Sequence, residues 1–198
     1  MGPDNRSPAR VGLFGGSFDP VHLGHLLVAQ AAREELSLTR LFFIPAGQSP
    51  FKPDRRPTPA AERLRLLRLA LAGKDWCEID DQEIRRGGVS YSIDTVRDYA
   101  GRFPQTKLFY LIGADHIGQL PKWRDAEQLA RLTDFVVISR PGQQDTPLPQ
   151  PFCGLSLAGF PLGLSSSQIR ARVKGGLPID QLVPGPVAEA IRNNRLYL

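Results

Sequence analysis

The segment 12–25 reads GLFGGSFDPVHLGH and contains adjacent glycines, a serine, a carboxylate and two imidazoles within a few positions. Gly15 and Gly16 follow an apolar run, and glycines allow a backbone to approach a ligand closely. Their spacing matches neither G-x-G-x-x-G nor G-x-x-x-x-G-K-S/T, so neither a dinucleotide fingerprint nor a P-loop is supported. The residue types instead favour an anion-binding turn of another kind.

The second half of this segment has the features of a helix start. Asp19 before Pro20 is typical of an N-cap with proline at the first helical position, and His22 and His25 then lie on one helix face. Helix amides and the positive end of the helix dipole attract anions, and imidazoles would add donors. Two alternatives remain open. In one, Asp19 acts only as a cap beside surface histidines; in the other, the histidines bind zinc, for which no third ligand is evident.

A second candidate anion site lies in the segment 164–172, LSSSQIRAR. One of its three consecutive serines can cap a helix, and the other hydroxyls and amides can face a phosphate. Arg170 falls in the first turns, where a guanidinium can bind phosphate oxygens bidentately. An ordinary serine cap with an exposed arginine is the alternative. The two segments support each other because each predicts an anion-binding helix start.

Strand and helix patterns alternate along the chain, which is long enough for one substantial domain. A flexible tail is predicted over 1–9 and one folded domain over 10–198. Strands are predicted at 10–16, 40–47, 76–81, 107–115, 134–142 and, more weakly, 154–159. Helices are predicted at 21–36, 59–72, 91–103, 165–176 and 184–198, with a long basic and Pro-rich loop at 48–59.

This alternation predicts an α/β fold, a Rossmann-like, doubly wound parallel sheet flanked by helices in a single domain. Ligands of such sheets bind outside the carboxyl ends of the strands, where the strand order reverses. The sequences GGSFDP and GAD both follow predicted strands. We therefore expect them at the ligand-binding edge.

Charge and composition narrow the partners. The net charge of +5 comes from 25 basic and 20 acidic residues, which suits a polyanionic small substrate or weak nucleic-acid binding. A run of arginines favours a solvated helix face over nucleic-acid binding, since it lacks interleaved aromatics: Arg55, Arg56, Arg63, Arg65 and Arg68. Two distant cysteines fit a reducing compartment. No apolar run is long enough to span a membrane, and the first residues do not resemble a secretory signal. We expect a cytoplasmic protein without nucleic-acid or membrane partners.

The motifs together resemble a known family. GGSFDPVHLGH resembles the T/H-x-G-H signature of the nucleotidyltransferase superfamily, and LSSSQIR resembles its second signature, I-S-S-x-x-I-R. Further segments are similar to bacterial nicotinate-nucleotide adenylyltransferases: IPAGQSPFK, GVSYSIDTV, LIGADHIGQLPKW, VVISRPG and LVPGPVAEAIRNNRLYL. The resemblance implies transfer of AMP from ATP to nicotinate mononucleotide, giving deamido-NAD and pyrophosphate. It also implies direct in-line attack with Mg²⁺ on the ATP phosphates and no covalent enzyme intermediate.

The resemblance also implies roles for individual residues. The catalytic residues would be His22, His25 and Arg170. ATP would be bound by these three and by Gly15, Gly16, Ser17, Phe18, Gly113, Asp115, Arg140, Ser166 and Ser167. The acceptor would be bound by Ser17, Lys52, Tyr91, Thr95 and Trp123.

Within these sets, Asp115 would hold a ribose, Arg140 would lie near adenine and Trp123 would stack on the pyridine ring. Helix amides near Thr95 would receive the nicotinate carboxylate, and Lys52 would approach the acceptor phosphate. Each has a plainer alternative. Asp115 could cap a turn, Trp123 could belong to the core, and the basic residues could simply be solvated.

The sequence departs from the family at one position and leaves other functions open. Phe51 stands where the family commonly has histidine, which could reshape acceptor binding. Phosphopantetheine adenylyltransferases share both signatures, although the segments SYSIDTV and LPKW argue against them. Nicotinamide mononucleotide as the acceptor, or a non-catalytic nucleotide-binding protein on the same fold, are the further alternatives. Self-association into a homo-oligomer is compatible with the sequence but not determined by it.

Overall fold

A computed structural model describes residues 9–48, 50, 57–139, 142, 146–160 and 162–198. The strands are β1 (Arg10–Gly16), β2 (Arg40–Pro45), β3 (Cys77–Ile79), β4 (Lys107–Gly113), β5 (Asp134–Ile138) and β6 (Gly154–Leu157). The α-helices are α1 (Leu23–Glu35), α2 (Ala60–Leu71), α3 (Gln82–Arg86), α4 (Ser92–Arg102), α5 (Ala126–Leu132), α6 (Ser166–Lys174) and α7 (Gly185–Asn193). A 3-10 helix (Ala114–Lys122) follows β4.

The six strands form one parallel sheet in the order β3-β2-β1-β4-β5-β6. The chain builds outwards from β1 to β3, then returns to place β4 on the other side of β1. The strand order therefore reverses between β1 and β4, and a crevice at this point is the usual ligand site of such sheets. The predicted doubly wound parallel sheet is confirmed.

Both faces of the sheet are covered, as the apolar strands require. Successive side chains of β1 point to opposite faces, so Phe14 packs with Phe43 and Leu67 while Leu13 packs with Phe42 and Tyr110. The two apolar clusters, one on each face of the sheet, fix the position and direction of β1. Its carboxyl end is thus a rigid base for the turn that follows.

The structure differs from the sequence-based elements at several places. The predicted helix 184–198 ends at Asn193 and the predicted strand 134–142 at Ile138. Helix α1 begins at Leu23 rather than at Val21, and three elements were not predicted: α3, α5 and the 3-10 helix. Helix α3 has only five residues, and the 3-10 helix contains Pro121, so neither shows the long apolar period of an α-helix. Most of the predicted tail, residues 1–8, lies outside the described residues. None of the helices in the described ranges is long and apolar enough to cross a membrane.

Candidate functional site

The turn after β1 carries the first signature. The N-cap of α1 is His22, and the predicted N-cap role of Asp19 is wrong. The Asp19–Pro20 peptide is cis, and the carboxylate of Asp19 accepts a hydrogen bond from the Thr58 amide at 3.5 Å. Asp19 thus contacts the chain before α2 instead of the start of α1.

The two histidines form one unit at the start of α1. Their rings are stacked with centroids 3.7 Å apart, and Nδ1 of His25 accepts a hydrogen bond from the His22 amide at 3.1 Å. Burial, with a smaller contribution from His22, lowers the pKa of His25 well below its usual value. A neutral ring whose Nδ1 is an acceptor carries its proton on Nε2. His25 therefore presents an N–H donor without a charge at neutral pH.

The position of the His22 ring explains why residue 24, between the two histidines, is glycine. A Cβ at this position would lie 3.0 Å from both Cε1 and Nδ1 of His22, closer than ordinary van der Waals contact. The ring would have to move by a few tenths of an ångström. The glycine in H-x-G-H thus leaves room for the His22 ring.

The turn is held from below by Arg63 of α2, which is only 2% exposed. Its Nη1 donates to the Ser17 carbonyl at 2.8 Å and its Nε to the Thr58 carbonyl at 3.0 Å. Burial lowers the pKa of Arg63, and the charges of Asp19 and Tyr197 oppose that shift. The prediction of a solvated face is therefore wrong for Arg63, although Arg65 and Arg68 are exposed.

The second signature meets the first at the start of α6. Ser165 is the N-cap, and its Oγ accepts from the Gln168 amide at 3.3 Å. Ser166 Oγ donates to the Pro20 carbonyl at 2.9 Å. The starts of α1 and α6 are thus joined through the turn.

Arg170 completes this junction from the second turn of α6. Its Nη1 donates to the Asp19 carbonyl at 2.5 Å and its Nη2 to the Ser167 hydroxyl at 2.8 Å. These bonds hold the planar guanidinium at the start of α6, and a guanidinium is a group that binds phosphate oxygens bidentately. The starts of the two helices that carry the signatures thus lie side by side.

The end of β4 forms the other side of the crevice. A Cβ on Gly113 would lie 2.4 Å from Oδ1 of Asp115, so a larger residue here would displace this carboxylate from its present position. A Cβ on Gly15 would lie 2.7 Å from the Tyr110 hydroxyl, which shows how closely β1 and β4 approach. Asp115 itself is exposed at this edge, as a ribose-binding residue would need to be.

A small cavity of about 80 Å³ lies at the start of α4. Its lining consists of Pro50, Tyr91, Ser92, Ile93, Lys122, Trp123 and Arg124. Tyr91 and Trp123 are thus brought together as expected, and the guanidinium of Arg124 lies 4.9 Å from the Tyr91 ring centroid. The cavity combines aromatic walls, cationic side chains and a helix N-terminus.

The side chain of Thr95 does not line this cavity, and the expectation that helix amides near it receive the nicotinate carboxylate stays a prediction. Thr95 is fully buried, and its Oγ1 donates to Oε1 of Glu83 at 2.6 Å. It belongs to the first turn of α4, which begins at the cavity-lining residue Ser92. Three further predictions, on Phe51, Lys52 and Arg140, lie outside the described residues.

Sequence reasoning missed Arg63 and Glu83 as supports of the site. A usable signal existed for Arg63, which is spaced at i, i+3, i+4 and i+7 with Leu66, Leu67 and Ala70 on the buried face of α2. Glu83 had no comparable signal because α3 is too short to show a period.

Comparisons with known proteins agree with this geometry. Residues 13–172 match the family model described as cytidylyltransferase-like. A protein of Opitutus terrae named "Probable nicotinate-nucleotide adenylyltransferase" is 41% identical, with 95% of this chain and 97% of that one covered. A protein of the same name from Desulfitobacterium hafniense is 37% identical, with 98% of both chains covered.

Solved structures share the fold at low sequence identity. The nicotinic acid mononucleotide adenylyltransferase of Plasmodium falciparum, complexed with NaAD, superposes with a TM-score of 0.80 at 16% identity over 96% of this chain and 97% of that one. A putative nicotinate-nucleotide adenylyltransferase from Vibrio parahaemolyticus gives 0.70, also at 16% identity, over 96% and 95%. The chain belongs to the cytidylyltransferase-like family and, within it, to the nicotinate-nucleotide adenylyltransferases.

Proposed function

We propose that the chain transfers AMP from ATP to nicotinate mononucleotide, releasing deamido-NAD and pyrophosphate for NAD biosynthesis. Family membership supports this reaction. One observation carries the assignment of the site: Ser166 and Arg170 of α6 bond the carbonyls of Pro20 and Asp19, so both signatures meet beside the strand reversal. Two neighbouring helix starts would offer backbone N–H donors and positive dipole ends to a triphosphate.

Catalysis rests on position and charge stabilisation. The acceptor phosphate attacks the α-phosphorus of ATP in line, and the pyrophosphate leaves with the electrons of the broken P–O bond. His22 and His25 donate hydrogen bonds to the ATP phosphates, while Arg170 and Ser167 hold the β- and γ-phosphates. Because burial lowers the pKa of His25, its ring stays neutral and can donate a hydrogen bond from Nε2 near pH 7.

The acceptor lies across the crevice, with its pyridine ring in the cavity at the start of α4. Trp123 stacks on the ring, and amides at the helix start bind the nicotinate carboxylate. An anion site here favours nicotinate over the neutral amide. Tyr91 borders the ring, and Lys52 approaches the acceptor phosphate.

Mg²⁺ fits this site as an ion bound by the substrate phosphates. No group of three or more His, Cys, Asp or Glu side chains among the described residues could hold a metal by itself. Mg²⁺ commonly keeps its waters and binds substrate phosphates with few protein ligands, so the donor set suits it. The bound ion would neutralise charge on the triphosphate.

Both cysteines are free thiols, which supports a cytoplasmic setting.

The test is chromatographic detection of deamido-NAD formed from Mg²⁺-ATP and nicotinate mononucleotide. The wild-type protein forms the product, and His22→Ala and Arg170→Ala lower the turnover about 100-fold or more. Lys174→Ala, an exposed change on the same helix as Arg170, serves as the control and retains wild-type turnover. Wild-type rates in both site variants would remove this site from the reaction.

A further inference from the structure

Glu83 is a buried carboxyl group outside the residues that line the crevice. It lies on α3 with 5% of its surface exposed, and burial raises its pKa. Its partners are the hydroxyls of Thr95, at 2.6 Å, and of Ser90. A five-residue helix thus contributes one acidic side chain to the interior, at the base of α4.

The Ser90 side of this contact reaches the end of β2. Ser90 Oγ accepts a hydrogen bond from the Gly47 amide at 2.9 Å, and the Ser90 amide donates to the Gln48 carbonyl at 2.9 Å. A Cβ on Gly47 would lie 3.0 Å from the Glu83 carbonyl, so the two segments approach as closely as their backbones allow. The loop that begins after β2 is therefore anchored beside Glu83.

The Thr95 side of the contact reaches the acceptor cavity. Thr95 is in the first turn of α4, whose start supplies Tyr91 and Ser92 to the cavity wall. Ser92 is itself bonded to the Tyr110 hydroxyl at 2.9 Å. Burial raises the pKa of Tyr110, and the charge of Glu83 adds to that rise. Glu83 thus lies close to both supports of the cavity.

We propose that Glu83 is a positioning residue for the acceptor: its carboxyl group holds Thr95 and Ser90, and so fixes the start of α4 against the loop after β2. It does not touch the substrate. Glu83 determines where the helix amides and the aromatic wall lie relative to the pyridine ring. This role rests on the proposed function, because it assigns the cavity at α4 to the acceptor.

The test compares KM for nicotinate mononucleotide with KM for ATP. Glu83→Ala raises the acceptor KM about tenfold or more, as expected for lost hydrogen bonds to a charged group, while the KM for ATP stays within about twofold. Glu83→Gln keeps the shape and one acceptor oxygen and recovers most of the loss. Thr95→Val raises the acceptor KM and Thr95→Ser restores it, so the role remains testable if Glu83→Ala does not fold.

Glu127→Ala is the matched control, a carboxylate that is 81% exposed and paired at the surface with Arg131. Calorimetric titration of nicotinate mononucleotide without ATP gives the same ranking as the KM values. Equal rises in both KM values, or no advantage of Gln over Ala, would overturn the role of Glu83. A wild-type protein that forms no dinucleotide would refute the proposed function itself, and this role with it.

Discussion

Arg63 makes the strongest stability prediction because its side chain is buried and its partners are backbone carbonyls. The change is Arg63→Ala. It removes charged donors from the Ser17 and Thr58 carbonyls, which lie 2.8 and 3.0 Å away. Each hydrogen bond to a charged group contributes about 1.5–3 kcal/mol, so the two together account for roughly 3–6 kcal/mol. The buried Asp19 carboxylate also loses a neighbouring positive charge.

We therefore expect the free energy of unfolding to fall by about 3–5 kcal/mol, the usual cost of removing one member of a buried charged group. At about 2–4 °C per kcal/mol for a chain of this length, Tm falls by roughly 6–20 °C. Urea denaturation and thermal scans measure both quantities. Arg63→Lys loses part of this stability, since one ammonium group does not reproduce a planar fork to two carbonyls.

Arg68→Ala is the control, because Arg68 is exposed on the same helix and its loss should change stability by no more than about 0.5 kcal/mol. A loss below about 1 kcal/mol in Arg63→Ala would refute the reasoning. In that case the two carbonyls would have found water or other donors, and Arg63 would not hold the turn.

Three further predictions concern the histidines, the glycine between them and the acceptor cavity. Because burial lowers the pKa of His25, the unfolded ring takes up a proton below about pH 6.5 while the folded ring resists it, so stability falls as pH decreases, by up to about 1.4 kcal/mol per pH unit. His25→Asn, which keeps an acceptor for the His22 amide, removes that part of the pH dependence in urea titrations at pH 7.5 and 5.5; an unchanged pH dependence would contradict it. Gly24→Ala displaces the His22 ring and lowers kcat about tenfold with little change in Tm, and wild-type kcat would show that the ring position is unimportant. Trp123→Ala raises the KM of the acceptor about tenfold and that of ATP much less, whereas an unmoved acceptor KM would exclude Trp123 from the site.

Sequence patterns were sufficient for the sheet, whereas the contact between the two signatures is seen only in the structure. The near-continuous apolar runs of β1 and β4 indicate strands buried on both faces, and their following glycines mark the ligand-binding edge. The start of α1 was misplaced because Asp-Pro resembles a helix start, while the actual N-cap is His22. N-cap preferences depend on neighbouring residues, so they do not predict a turn that side chains from α2 and α6 hold in place.

Tertiary partners account for the other differences. The exposed or buried state of an arginine depends on what faces it, and Arg63 faces carbonyls of a turn that lies 46 residues away in the chain. Thr95 was expected near the ligand because of its place in α4. Its hydroxyl instead faces Glu83, which belongs to a helix too short to be predicted.

The most direct test of the central claim is pyrophosphate release by the purified protein with Mg²⁺-ATP and one acceptor per reaction. The acceptors are nicotinate mononucleotide, nicotinamide mononucleotide and phosphopantetheine. We expect release with nicotinate mononucleotide at a kcat/KM well above that of the other two acceptors. Preference for another acceptor would contradict the carboxylate site at α4, and no release with any of them would contradict adenylyl transfer itself.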